Sequence, residues 1–246
     1  MRQLPSGMKQ RVILGAAVGV AVVGGIMISE EMNGRPHKTN AEVEQALTAQ
    51  PGGGETLAAL KASFPGDYDK LIQTTAQDYN GGVDFDVARQ KASAQMAALV
   101  GSHRDDLRHA PDAELVAHVR AEAALLGKLD TATCARMFLT GAPGNISPSA
   151  EVMPAIGAFS AATLRAERAG IDHRTGRAAS PAPEDQKALA AAMRARGVTD
   201  AQMRSLGDGS LQNLPAADQC AIARALTGAI GELPAEQAGR VWSQML

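Results

Sequence analysis

Between Val12 and Ile28 the chain reads VILGAAVGVAVVGGIMI, an unbroken run of apolar residues. At 1.5 Å per residue, a helix of this length measures about 26 Å. That length is at the short end of what spans a hydrocarbon core of about 30 Å. The run predicts a single transmembrane helix over residues 12–29, and it divides the chain into this helix and the large part that follows.

A cleaved signal peptide is the alternative to a lasting anchor, because it also has a charged start and an apolar middle. Cleavage requires small residues just beyond the apolar run. The segment from Ile26 to Met32 reads IMISEEM and has no A-x-A pattern. The sequence therefore favours an uncleaved signal-anchor, and a secreted helical binding protein remains the alternative.

The placement of basic residues predicts the orientation of this anchor. Arg2, Lys9 and Arg11 precede the apolar run, whereas only Arg35 and Lys38 follow it closely. Basic residues favour the cytoplasmic side of a span. We expect a single-pass protein of a bacterial-type inner membrane, with a cytoplasmic N-terminus and a periplasmic C-terminal domain. The expected segments are a short N-terminus (1–11), the anchor (12–29), a connector (30–39) and an exported domain (40–246).

Small side chains within the anchor offer surfaces for helix packing. They form a G-x-x-x-G pair and a second row at helical spacing: Gly15, Gly19, Ala17, Ala21 and Gly25. Such residues let two membrane helices approach closely, so they predict contact with a protein partner or a second copy of the chain. Alternatively, they reflect only the general abundance of alanine and glycine in this sequence.

The composition beyond the anchor predicts an all-α fold. Aromatic residues make up 3% of the chain, alanine is abundant and β-branched runs are scarce, which favours closely packed helices. Several prolines precede acidic residues, as expected of helix starts: Pro111, Pro148, Pro181, Pro215 and Pro234. We expect a multi-helix domain of about eight to ten short helices.

Two cysteines, Cys134 and Cys220, lie in predicted helices. In an oxidising compartment they could form a disulfide. The alternative is two separate buried thiols that pack as small hydrophobic groups. The sequence alone does not decide between these two states.

The segment 170–183, GIDHRTGRAASPAP, is the longest polar connector in the predicted domain, and it is locally basic. Long loops within compact domains often serve function. His173, Arg174 and Arg177 are therefore candidates for an interaction loop. The same segment is also a candidate boundary between two helical groups.

One helical face carries groups that could hold a metal. Glu114, His118 and Glu122 are spaced four residues apart and share a face. Neighbouring Arg104, Arg108 and Arg120 could instead pair with them, and no zinc-binding spacing is present. We interpret this face as a solvated surface of ion pairs.

The remaining patterns predict neither catalysis nor a cofactor. The segment from Asp78 to Arg89 resembles a calcium loop, but Val83 stands at the glycine position and Arg89 at the glutamate position, so we interpret it as a helix end and a new helix start. No nucleophile elbow or phosphate-binding loop is present. The formal net charge of −2 and the few aromatics make nucleic-acid binding a poor fit.

The chain ends in Val241, Trp242, Met245 and Leu246, which could either dock the last helix on the core or form a partner-binding stripe. Docking is favoured. For the whole chain we expect a non-catalytic membrane protein whose exported domain binds or scaffolds another envelope component. A membrane-tethered envelope hydrolase that uses acidic residues between Asp105 and Glu122 is the alternative.

Overall fold

The structure, a computed structural model, describes residues 36–141, 149–177 and 180–246. Within these ranges the fold is all-helical, without strands, as the composition predicted. The helices are α1 (Asn40–Thr48), α2 (Gly53–Ser63), α3 (Pro65–Asn80), α4 (Phe85–Ser102), α5 (Arg104–Leu107), α6 (Asp112–Lys128), α7 (Thr131–Thr140), α8 (Met153–Asp172), α9 (Pro183–Ala195), α10 (Asp200–Asp208), α11 (Ala216–Glu232) and α12 (Ala235–Ser243). A 3₁₀ turn, Leu211–Asn213, lies between α10 and α11.

The helix count corrects the sequence-based expectation of eight to ten. The described ranges contain twelve α-helices. One of them, α5, has only four residues, which is too short to show an apolar periodicity in the sequence. Others are separated by single turns, such as the one at Gly197, whose φ of 83° ends α9.

The predicted transmembrane helix and its packing residues lie outside the described residues. Among the helices that are described, none combines the length and the apolar character needed to cross a membrane. The described part of the connector runs into α1, which begins at Asn40. Thr39 caps this helix, in a reciprocal capping box with Glu42.

Proline starts three of the later helices as the sequence indicated. Pro111, Pro215 and Pro234 each stand directly before the first residue of α6, α11 and α12. The start of α9 differs from the prediction, because Pro183 rather than Pro181 occupies its first turn. Pro148 lies outside the described residues.

Buried apolar side chains form two clusters that share α8. The first joins α1–α4 and includes Leu60, Tyr68 and Leu71. The second joins α5–α12 and includes Leu126 and Ile230. The first cluster includes two residues of α8, Ala161 and Leu164. The second includes four others from the same helix: Met153, Ile156, Phe159 and Ala166. The apolar core therefore divides between α4 and α5, and the predicted boundary near 170–183 remains a prediction.

Two glycines let α8 approach its neighbours closely. At Gly157 an added Cβ would lie 2.4 Å from the carbonyl oxygen of Gly52, at the start of α2. At Gly170 it would lie 2.0 Å from the carbonyl oxygen of Asp106 in α5. Both distances are too short for any side chain, so the path of α8 requires glycine at both positions.

Candidate functional site

The two cysteines join α7 to α11 inside the second cluster. Their sulfur atoms are 2.04 Å apart and their Cα atoms 5.4 Å apart, which is a disulfide bond. Cys134 and Cys220 are both buried. The predicted pair is therefore present, and it links two points of the chain that are 86 residues apart.

Arg177 of the predicted interaction loop holds that loop to the body of the domain. Its guanidinium donates to the carbonyl oxygens of Arg108 and Ala110, at 3.0 and 2.6 Å, and to the carboxylate of Asp112 at 2.5 Å. Only 6% of this side chain is exposed. A partner could therefore not use Arg177 without breaking these contacts.

Backbone and side-chain contacts fix the same loop on the segment before α6. The amide of Thr175 donates to the carbonyl oxygen of His109 at 2.8 Å. Arg174 lies 3.4 Å from Asp106, but about half of its side chain stays exposed. His173 and the neighbouring Ile171 are also exposed. The exposed surface here consists of Ile171 and Asp172 at the end of α8 and of His173 and Arg174 in the loop.

A buried polar pair lies between α6 and α12. The indole Nε1 of Trp242 donates to Nδ1 of His118 at 3.0 Å. The imidazole also contacts the ring of Phe159, with 5.0 Å between the ring centroids. Full burial lowers the pKa of His118 to about 3, so the imidazole is neutral at pH 7. The expectation that the last helix docks on the core is confirmed, because Trp242 is buried.

Two carboxyl groups, one on α6 and one on α8, are also buried. Burial raises the pKa of Glu122 on α6 to about 8. Burial and the nearby charge of Asp106 raise the pKa of Glu167 on α8 to about 9. Neither oxygen of Glu167 has a hydrogen-bond partner within the protein, nor does Nε2 of His118. Both carboxyl groups are therefore protonated at neutral pH.

The interpretation of Glu114, His118 and Glu122 as a solvated face of ion pairs is wrong. His118 and Glu122 are buried, and only Glu114 is partly exposed. Arg120, expected as a charge partner, donates instead to the carbonyl oxygen of Gly231 at 2.8 Å. The face is buried because α8, α11 and α12 all pack on α6, so that seven side chains of α6 are buried.

The described residues contain no group of three or more histidine, cysteine or acidic side chains placed to hold a metal ion. The apparent calcium loop is a helix junction, as interpreted from the sequence. Asp84 caps α4 by accepting from the amide of Asp86 at 2.8 Å, and Asp78 pairs with Lys91 at 3.1 Å.

A small apolar pocket lies between α1, α2, α3 and α4. Leu47, Leu71 and Met96 contribute to its walls, and its cavity measures about 30 Å³. The guanidinium of Arg89 also lines the pocket and pairs with Asp86 at 2.9 Å. In this conformation the pocket has no room for an organic substrate.

In comparisons with known proteins, no family model, no curated protein and no solved structure matches the chain.

Proposed function

We propose that the chain is a single-pass membrane protein whose helical domain lies outside the cytoplasm and binds another envelope component without catalysis. The observation that carries this proposal is the buried disulfide between Cys134 and Cys220. Disulfides persist in oxidising compartments and are rare in the cytosol. The apolar run from Val12 to Ile28 supports the same placement, because it provides an anchor with basic residues before it.

The partner surface that we propose is the end of α8 together with the exposed part of the loop that follows it. Ile171, His173 and Arg174 combine an apolar side chain with basic groups on a backbone that Arg177 and Thr175 hold in place. A surface that is already ordered loses less conformational entropy on binding. Arg177 contributes to this surface indirectly, by positioning the loop.

The buried polar groups support a binding role better than an enzymatic one. His118, Glu122 and Glu167 have the perturbed pKa values that are common at active sites. However, His118 and Glu167 are fully buried, and the rings of Phe159 and Trp242 contact His118. A substrate could reach them only after α6, α8 and α12 separated.

Two measurements test this proposal. Reporter enzymes that work only in the periplasm should be active when fused after Leu246, and reporters that work only in the cytoplasm should be inactive. Gentle solubilisation of membranes should recover the protein with a partner or as an oligomer. Exchange of both His173 and Arg174 for alanine should weaken that association about tenfold.

Lys187→Ala is the matched control, because Lys187 is an exposed basic residue on α9 and is not part of the proposed surface. It should leave the association unchanged. Recovery of a monomer without any bound protein, under conditions that preserve the fold, would contradict the scaffold proposal. Equal loss of binding in the control variant would contradict the assignment to the loop.

A further inference from the structure

The connector behind the predicted anchor is fixed to one point of the domain. The amide of Lys38 donates to Oδ1 of Asn80 at 2.9 Å, and Nδ2 of Asn80 donates back to the carbonyl oxygen of Lys38 at 2.9 Å. The ammonium of Lys38 also lies 5.4 Å from the centre of the Tyr79 ring. The connector is thus held at the end of α3, next to the turn between α3 and α4.

Lys38 stands only ten positions after Ile28, the last residue of the apolar run. A fully extended chain covers at most about 3.6 Å per residue, so this distance is at most about 36 Å. A domain of about 210 residues has a diameter of roughly 40 Å. The surface around Asn80 must therefore stay within about 36 Å of the end of the apolar run, which is less than the width of the domain.

That surface carries apolar side chains beside a lysine. Val87, at the start of α4, is 44% exposed. Val83 and Phe85 are partly exposed, and the ring of Phe85 meets the ring of Tyr79 edge to face at 5.9 Å. Apolar and aromatic groups with a nearby lysine suit the boundary between lipid headgroups and acyl chains.

The acidic residues of this surface are mostly neutralised. Asp78 pairs with Lys91 at 3.1 Å, and Asp86 pairs with Arg89 at 2.9 Å. Asp84 accepts a hydrogen bond as the cap of α4. The two ion pairs reduce the repulsion that carboxylates would meet at an anionic lipid surface.

We propose that the turn between α3 and α4 is the membrane-facing surface of the domain, and that Val83, Phe85 and Val87 rest on the bilayer. This inference depends on the anchoring in the proposed function. It places the exposed Ile171 away from the membrane. The helix α4 is about 27 Å long, and α5, which follows its far end, packs on Gly170. The loop proposed for partner binding then faces the space beyond the membrane.

The test uses the full chain reconstituted in vesicles of phosphatidylcholine and phosphatidylglycerol, with or without bromine on the acyl chains. A fluorophore is attached to a cysteine at either exposed apolar position, in the variants Val87→Cys and Ile171→Cys. The natural cysteines are bonded to each other, so without reductant only the new thiol reacts. We expect brominated lipid to quench the label at position 87 at least about twofold and the label at position 171 hardly at all.

Asn80→Ala removes both hydrogen bonds to Lys38 and provides the second test. Asn80 is exposed, so the fold should survive. In this background the quenching at position 87 should fall toward the value at position 171. An unchanged value would overturn the role that we assign to the Lys38–Asn80 contact.

Other outcomes separate this inference from the proposed function. If the protein stays in the vesicles after an alkaline wash but both labels are quenched equally, the inference is wrong and the anchoring stands. If the wash removes the protein, the anchoring itself is wrong. A third outcome is that the label at position 87 is protected from solvent but not quenched by brominated lipid, and that position 87 crosslinks to a second copy of the chain. The surface is then a contact between copies, and the inference is also wrong.

Discussion

Trp242 and His118 are joined by a buried hydrogen bond of 3.0 Å, from the indole Nε1 to the imidazole Nδ1. Because Nδ1 accepts, the single proton of the neutral ring resides on Nε2, which has no partner within the protein. The bond ties the last helix to α6, and it is possible only while His118 is neutral. The stability of the fold is therefore linked to pH.

The buried ionisable groups predict that the protein is most stable in mild acid. The unfolded chain releases the protons of Glu122 and Glu167 above about pH 4.5, whereas the folded chain keeps them up to about pH 8 and 9. The free energy of unfolding therefore falls as the pH rises through this window. For His118 the unfolded chain binds a proton below about pH 6.5 and the folded chain only below about pH 3, so acid destabilises the fold.

As the pH falls from 6.5 to 4.5, the two glutamates raise the free energy of unfolding by more than the one histidine lowers it. These three groups therefore place the maximum stability near pH 4.5–5. Thermal unfolding of the full chain in detergent should give a Tm at least about 5 °C higher at pH 5 than at pH 8. Glu167→Gln should raise the Tm at pH 8 and reduce the difference, whereas Glu151→Gln, at an exposed position, should not. Equal Tm values at the two pH values would contradict the burial of these groups.

Removal of the disulfide should lower the stability strongly. Exchange of both Cys134 and Cys220 for alanine opens a loop of 86 residues. In the chain-entropy account this lowers the free energy of unfolding by about 3–5 kcal/mol. Urea unfolding measures the change. A reducing agent should destabilise the natural protein by a similar amount and leave the double variant unaffected, and a natural protein insensitive to reduction would contradict the prediction.

The close approach of α8 and α2 predicts a large effect for a single methyl group. In Gly157→Ala the new Cβ would overlap the backbone of Gly52, so the two helices must separate. We expect a loss of about 1–3 kcal/mol in the free energy of unfolding. Gly101→Ala is the control, because Gly101 lies in α4 with nothing within 4 Å of the added Cβ. The free energy of unfolding of that variant should rise by up to about 1 kcal/mol, because alanine has a higher helix propensity than glycine.

A buried ion pair joins α9 to α12 and should respond asymmetrically to mutation. Arg240 donates twice to the fully buried Asp185, at 2.7 and 2.8 Å. These hydrogen bonds hold the pKa of Asp185 below its usual value. Arg240→Ala leaves the carboxylate buried and without its cation, so we expect the free energy of unfolding to fall by about 3–5 kcal/mol. Arg168→Ala, which breaks an exposed pair with Asp172, should cost less than about 1 kcal/mol. Similar losses in the two variants would contradict this account.

The sequence predicted the helical class, several helix starts and the candidate cysteine pair from local features. Proline and an early carboxylate mark α6 and α12 because the chemistry of a helix start is local. Alanine-rich segments with few aromatic residues have a low propensity for β-strands, and this property is also local. The boundary of α5 was not predictable, because its four residues are positioned by Gly170 of the distant α8.

The burial of His118 and Glu122 was also not predicted, because it too depends on helices that are distant in the sequence. Glu114, His118 and Glu122 repeat every four residues, and this spacing defines one helix face but does not say what covers it. Three helices cover that face in the structure. Likewise, only the structure shows that the side chain of Arg177 is internal and bonded to the segment before α6, while Arg174 remains exposed. The signal that could have indicated burial is the row of Leu115, Val119 and Leu126 that flanks His118 and Glu122.

The placement of the domain outside a membrane is tested most directly by protease treatment of sealed vesicles of opposite orientation. The protein should first resist extraction at alkaline pH, because we propose that residues 12–29 anchor it. A protease should then digest the domain in vesicles that expose the periplasmic face and leave it intact in inverted vesicles. Digestion only in inverted vesicles, or release of the chain by the alkaline wash, would contradict the account.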